Sequence, residues 1–229
     1  MTPNMLRTRR ASIVLAWLLC ACGGSSGGNA PPLGEVQQGI ATYYDFANGD
    51  GACSFGPSPD DLDVAAMNAE QRSGSGVCGA CATVSGPKGN VVVRVVDLCP
   101  ECKKGHLDLS PQAFGKIADL VQGRVDITWR LQACAVSGSV RYQIKDGSSQ
   151  WWTAIQVRNH RLPVSSLAYR KDGAWVDVPR EDYNYFVAPK GVGPGAFSVR
   201  ITAWDGQTLE DELPGPNAEA VYEGHGQFQ

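Results

Sequence analysis

Histidine is scarce in this 229-residue chain. There are three, His106, His160 and His225, and His160 and His225 stand at no ligand spacing from each other, so no histidine-built metal site is expected. The chain has no Gly-rich phosphate loop, no Ser-His-Asp order and no amphipathic helix suited to a membrane surface, and no cofactor is implied. Basic residues are in deficit, with 20 Lys and Arg against 23 Asp and Glu. Without Arg7, Arg9 and Arg10 the balance is 17 against 23, a formal charge of −6. That is poor footing for nucleic acid or an acidic polymer, and a neutral partner is expected. No cysteine follows Cys134, and no helical run follows Ser139.

The N-terminus is a leader. Arg7, Arg9 and Arg10 precede an apolar core, Ile13 to Leu19, and then Leu19-Cys20-Ala21-Cys22. Residues 1–22 therefore read as a secretory signal, too short for a comfortable membrane span. Small or apolar residues before a cysteine, followed by GGSSGG, resemble a bacterial lipoprotein cleavage box. Cys22 would become the lipidated N-terminus, the only link to a membrane, and the product a secreted or cell-surface protein. The alternative is an ordinary signal peptide cut near Cys22. Residues 23–34, rich in Gly, Ser and Pro, read as a flexible linker. What remains is long enough for one large core or two small ones.

Six cysteines follow the leader: Cys53, Cys78, Cys81, Cys99, Cys102 and Cys134. The Cys78-x2-Cys81 and Cys99-x2-Cys102 pairs have the spacing of a zinc ribbon. An even count in an exported chain favours disulfides, and zinc would leave Cys53 and Cys134 unexplained.

From Gly39 to Cys134 short strands alternate with glycine turns: IATYYDF, LDVAAM, CATVSG, NVVVRVVDL and VDITWRLQA. One helix is expected near 111–121, capped by Ser110 with Pro111 in its first turn. Ala113, Phe114, Ile117 and Leu120 would share its apolar face. This is a small β-barrel carrying one helix. After Ser137-Gly138-Ser139, seven further strand segments with turn signals every eight to twelve residues read as an immunoglobulin-type β-sandwich. Trp175 and Trp204 lie in alternating strands and are expected to fill its core. Trp151 and Trp152 are adjacent, so in a regular strand one would face the core and the other solvent.

The segment VDLCPECKKGHLDLSPQAF carries the chemistry. Asp97 ends an apolar strand, and Asp108 sits between Leu107 and Leu109, surroundings that raise a carboxyl pKa. Thr42 could orient either acid. His106 could polarise the same groove, though an exposed turn histidine is the commoner case. Lys103 and Lys104 read as a solvated turn.

GIATYYD, CGAC, VVDLCPEC, HLDLSPQAF and WRLQAC, followed by IKDGSSQWWTAIQVRNH and EDYNYF, together resemble the expansins, most closely the bacterial ones. The resemblance runs from Gly39 to the C-terminus. It implies an all-β protein: a six-stranded double-psi β-barrel with a short helix over residues 35–136, then an immunoglobulin-like carbohydrate-binding domain of family 63 over 137–229. It implies Asp108 as the essential acid, with Thr42 and Asp97 around it. It implies a platform of Trp151, Trp152 and Tyr183 beside Lys145, since flat aromatic faces stack on sugars. Many bacterial relatives carry an aromatic where this chain has Cys99, and Tyr43 or Tyr44 is expected to compensate. Comparison with plant-type and fungal relatives suggests the pairs Cys53–Cys78, Cys81–Cys134 and Cys99–Cys102.

The activity so implied is wall loosening without hydrolysis, by a monomer, on cellulose, xyloglucan or another β-glucan, with peptidoglycan as the alternative polymer. A glycosidase or lytic enzyme on the same barrel would need a second carboxyl, Glu70 or Asp45, or would work with one aspartate alone. Asp97 is expected to lie too close to Asp108, and to be too hydrogen-bonded, for an inverting base, whose separation is about 6.5–9.5 Å. A wall-binding module without chemistry is the third reading.

Overall fold

The computed structural model describes Met1 and residues 30–45 and 47–229. The leader, Cys22 and most of the linker lie outside the described residues. Six strands close a barrel: β1 (Gln37–Tyr43), β2 (Val64–Asn68), β3 (Cys81–Gly86), β4 (Gly89–Cys99), β5 (Leu107–Leu109) and β6 (Val125–Gln132). Their order is β1-β5-β2-β4-β3-β6. β1 runs parallel to β5, and β2 parallel to β4. The period of two in β6 turns Val125, Ile127, Trp129 and Leu131 inward, where they meet Val91, Val93 and Val95 of β4.

Helix α2 (Pro111–Ile117) starts where expected. Ser110 Oγ accepts from the Ala113 amide at 3.1 Å and donates to the Leu62 carbonyl at 2.5 Å. It ends earlier than the apolar pattern predicts. Leu120 and Val121 are exposed, so nothing holds a third turn against the barrel. A short helix α1 (Ala69–Arg72) follows β2, with Asn68 as its cap.

The second half is a sandwich of two antiparallel sheets. One has the order β10 (Ala174–Val178), β9 (Val164–Lys171), β12 (Phe197–Ala203), β13 (Thr208–Leu213). The other has β11 (Phe186–Ala188), β8 (Thr153–Arg158), β7 (Arg141–Ile144), β14 (Val221–Glu223). Two strands escaped the sequence reading, β5 and β14, each three residues long and too short to show a period, as did the four-residue helix α1. The expectation for Trp175 and Trp204 is corrected. Trp175 lies on an outer face under the Arg200 guanidinium, 4.2 Å from its ring centroid. Trp204 follows the inward Ala203 and so leaves the sandwich core, packing against the barrel cluster instead.

The three disulfides are Cys53–Cys78, Cys81–Cys134 and Cys99–Cys102. All four cysteines of the ribbon spacing are thereby used, which excludes the zinc reading.

The two halves meet through buried polar contacts. Gln156 and Asn184 both donate to the Cys53 carbonyl, at 2.9 and 3.1 Å. Arg72 Nη2 donates to the Asp182 carbonyl at 2.9 Å, and Ser75 Oγ to that of Glu181 at 2.7 Å. Buried donors left unpaired are costly, so these bonds favour one relative orientation of barrel and sandwich.

His160 belongs to this junction. Its Nδ1 lies 2.9 Å from the Leu162 carbonyl, which can only accept, so Nδ1 carries the hydrogen. A Cβ at Gly79 would fall 2.6 Å from Nε2, so only glycine admits the ring. Burial first, then the nearby Arg180, push the His160 pKa down from 6.5 to about 4. A histidine held neutral in the fold contributes stability that is present above its unfolded value and is lost as pH falls towards the folded one. Between pH 6.5 and about 4 this residue should remove about 3 kcal/mol of stability. Urea midpoints measured across that window should drop in the wild type and flatten in His160→Gln. Equal slopes in the two proteins would refute the assignment.

Candidate active groove and aromatic face

The barrel topology assembles the acid site from distant segments. Parallel pairing sets Thr42 of β1 opposite Asp108 of β5, and antiparallel pairing sets Asp108 opposite Ala66 of β2. Ala66 is in turn opposite Asp97 of β4, across a bulge that falls between Ala65 and Ala66. Thr42, Asp108, Ala66 and Asp97 thus form a row across four strands. Leu107 and Leu109 are fully buried, so alternation turns Asp108 outward between them.

A close crossing holds this row in register. A Cβ on Gly39 would lie 1.9 Å from the Gly105 carbonyl oxygen, and Gly105 has φ +83°. Two glycines therefore let the turn before β5 lie directly on β1. Gln71 Oε1 accepts from the Gly105 amide at 2.7 Å, Trp129 Nε1 donates to the Gly105 carbonyl at 2.9 Å, and Asn68 Nδ2 donates to the His106 carbonyl at 3.3 Å.

Asp108 is half-buried and its Oδ1 accepts from the Thr42 hydroxyl. Burial raises its pKa above the ordinary carboxylate range. The Thr42 bond and His106 pull the other way, while Glu101 and Asp97 add to the rise. The carboxyl is thus biased towards its acid form. Asp97 is different. Its Oδ1 accepts from the Ala52 and Leu98 amides at 2.7 and 2.8 Å, tying it to the loop that carries Cys53.

Asp97 and Asp108 lie on β4 and β5, with β2 between them. Its tie to two amides makes Asp97 a poor mobile base. Glu70 is held in an exposed ion pair with Lys104 at 2.9 Å, and Asp45 sits in an exposed turn.

Tyr43 is not in the groove. It shares the inward side of β1 with Ala41 and packs on Phe114, ring centroids 5.0 Å apart. Tyr44, one residue on, takes the Thr42 side and packs against Ala66 and the Cys99–Cys102 disulfide. Burial, with Asp97 and Asp108 nearby, raises its pKa far above the ordinary phenol value, so it keeps its hydrogen. The Tyr44 hydroxyl is a buried atom with no hydrogen-bond partner among the described residues. Alternation along β1 was the signal that separates the two tyrosines.

The aromatic face lies on the sheet containing β8 and β11. Trp151 is 74% exposed and Tyr183 38%. Trp152 packs on Ala154, Tyr185 and Val187. Both tryptophans precede β8, in a turn and an isolated bridge, so strand alternation does not separate them. Tyr183 stands 5.9 Å from Tyr185, centroid to centroid, and Lys145 Nζ lies 6.0 Å from the Tyr185 ring. Tyr185, whose facing the sequence left open, is buried and packs against Tyr183 and Trp152.

One side of β8 connects the two regions. Ala154, Gln156 and Arg158 alternate onto the face that begins at Trp152. Gln156 and Arg158 donate to the Cys53 and Ser54 carbonyls of the barrel, at 2.9 and 3.3 Å. The same barrel loop presents the Ala52 amide to Asp97. Aromatic face and acid groove are therefore joined by a continuous run of contacts. Among the described residues no group of three or more His, Cys, Asp or Glu side chains could hold a metal ion.

A family model described as a lytic transglycolase matches residues 36–129, which hold the barrel. Expansin-YoaJ of Bacillus subtilis (strain 168) is 40% identical over 203 residues, covering 85% of this chain and 87% of that protein. The chain belongs to the expansin family. The crystal structure of apo Clavibacter michiganensis expansin is similar over 85% of this chain and 98% of its own, with a TM-score of 0.79 and 31% identity. An aspartate-to-asparagine variant of that expansin, solved in complex with cellohexaose, is similar to the same extent, with a TM-score of 0.79 and 30% identity. The family fold, a double-psi barrel followed by an immunoglobulin-like sandwich, is the fold described above.

Proposed function

We propose that this protein binds cellulose and related β-1,4-glucans and loosens cell walls without cutting the chains. The observation that carries the reading is the run of contacts joining the Trp151, Trp152 and Tyr183 face to the Asp108 groove. That run fixes the aromatic rings relative to one half-buried acid, so a single glucan chain would meet both. The related expansin solved with cellohexaose supports this ligand class. Asp108, oriented by Thr42, donates a hydrogen bond to a glycosidic or hydroxyl oxygen. Trp151 and Tyr183 stack on sugar faces, and Lys145 lies beside them. Asp97 is tied to two backbone amides and Glu70 to Lys104, which supports displacement over hydrolysis, since glycosidases ordinarily use an acid and a base or nucleophile.

In this reading residues 35–136 form the wall-loosening barrel and 137–229 the carbohydrate-binding unit. The chain is exported, acts as a monomer and is held at the cell surface through Cys22. Stretched plant wall strips should creep on addition of the protein, with no rise in reducing ends in the same samples. Sugar release that tracks the creep would replace this reading with a glycosidase. The lytic transglycolase match to the barrel favours one second reading, cleavage of peptidoglycan by Asp108 alone. Release of muropeptides from sacculi by the wild type, lost in Asp108→Asn, would establish it.

A further inference from the structure

His106 is poised differently from an ordinary turn histidine. Its Nε2 lies 2.9 Å from Thr42 Oγ1, and the same hydroxyl donates to Asp108 Oδ1. Three groups from β1, β5 and the turn before β5 therefore stand in one hydrogen-bonded line. A hydroxyl has one hydrogen, so the line must run in one direction at a time. In one arrangement His106 Nε2–H donates to Thr42, and Thr42 donates to Asp108. In the other, a protonated Asp108 donates to Thr42, and Thr42 donates to a neutral Nε2.

We propose that His106 is a positioning residue of the groove, sharing one proton with Asp108 through the Thr42 hydroxyl. The exchange is balanced. The Asp108 Oδ1 proton moves to Thr42 Oγ1 while the Thr42 proton moves to His106 Nε2. Carboxylic acid and imidazole become carboxylate and imidazolium, and the net charge is unchanged. This deepens the glucan-binding reading of the same groove and rests on it for its role.

The surroundings bias the shared proton towards the acid and away from the imidazole. Burial raises the Asp108 pKa and lowers that of His106. Of the charged groups that face the pair, Asp97 and Glu101 favour the protonated Asp108, and Arg124 disfavours the imidazolium. Glu101 and the Asp108 carboxylate pull the other way on His106. A glucan hydroxyl donating to Asp108 would stabilise the carboxylate and draw the proton across to His106. A glucan oxygen accepting from Asp108 would keep the proton on the carboxyl group. Thr42 is thus a conductor as well as an orienting group.

The test is an NMR titration of the full chain without glucan, following the His106 ring nitrogens and the Asp108 carboxyl carbon. In the wild type, Nε2 should report an inflection at the pH where Asp108 titrates. His106→Gln should shift the Asp108 titration upward, because the imidazolium no longer stabilises its carboxylate. Thr42→Val should shrink the Asp108-linked inflection at Nε2, and Thr42→Ser should restore it. An Asp108 curve unmoved by His106→Gln overturns the proposal. So does a wild-type Nε2 without the linked inflection, which needs no variant to fold. Creep is measured on the same proteins. A wild type that fails to creep yet keeps the linked titrations removes the loosening reading and leaves the shared proton standing.

Discussion

Asp108→Asn is expected to bring wall creep close to the buffer level while leaving cellulose pull-down at its wild-type value. The carboxamide keeps the shape of the side chain and an oxygen for the Thr42 hydroxyl, so the barrel should be undisturbed. What it loses is an acidic hydrogen, which burial favours on Asp108 by raising its pKa. Hydrogen bonds to charged or acid groups contribute about 1.5–3 kcal/mol, so the grip on a strained glucan should weaken by roughly ten- to a hundredfold. Pull-down is carried by the aromatic face on the other half of the chain and should not change. The raised Asp108 pKa adds a pH signature. Creep should persist above the ordinary carboxylate range and then decline as pH rises and the acid form is lost. Creep in Asp108→Asn equal to the wild type would leave only a wall-binding module.

The double variant Trp151→Ala/Trp152→Ala should lose cellulose retention by between about fivefold and a hundredfold, at some 0.5–1.5 kcal/mol per stacked ring. Trp151 is exposed and should give its share with no change in stability. Trp152 also covers Ala154 and Tyr185, so its removal should lower the melting temperature as well. Comparing the single variants separates these effects. Trp151→Ala alone, with an unchanged melting curve and unchanged retention, would remove the platform from the binding account.

Much of this architecture could be read along the chain because its causes are local. The strict alternation of Val125 to Leu131, the Ser110 cap with Pro111, and the turn signals of the second half all act between near neighbours. The groove could be placed through HLDLSPQAF, because alternation between two leucines turns Asp108 out of the core. Errors arose where a local pattern was extended past its support. Leu120 has the spacing of a helix face but no barrel surface to cover. Trp175 and Trp204 have strand spacing, yet sit on an outer face and at the junction.

Composition, alternation and resemblance determined a barrel followed by a sandwich, the family, and which segments hold acids and aromatics. Tertiary structure alone decided which residues meet. Thr42 and Asp108 are 66 positions apart and become neighbours only through parallel pairing of β1 with β5. The same register puts Tyr44 in the groove and Tyr43 behind it, and sets Asp97 two strands from Asp108. It also brings His106 onto Thr42, which no spacing along the chain foretells. The physical reason is that a strand's own pattern specifies which side chains share a face. The residues opposite them are set by closure of the barrel, where the packing of all six strands selects one register.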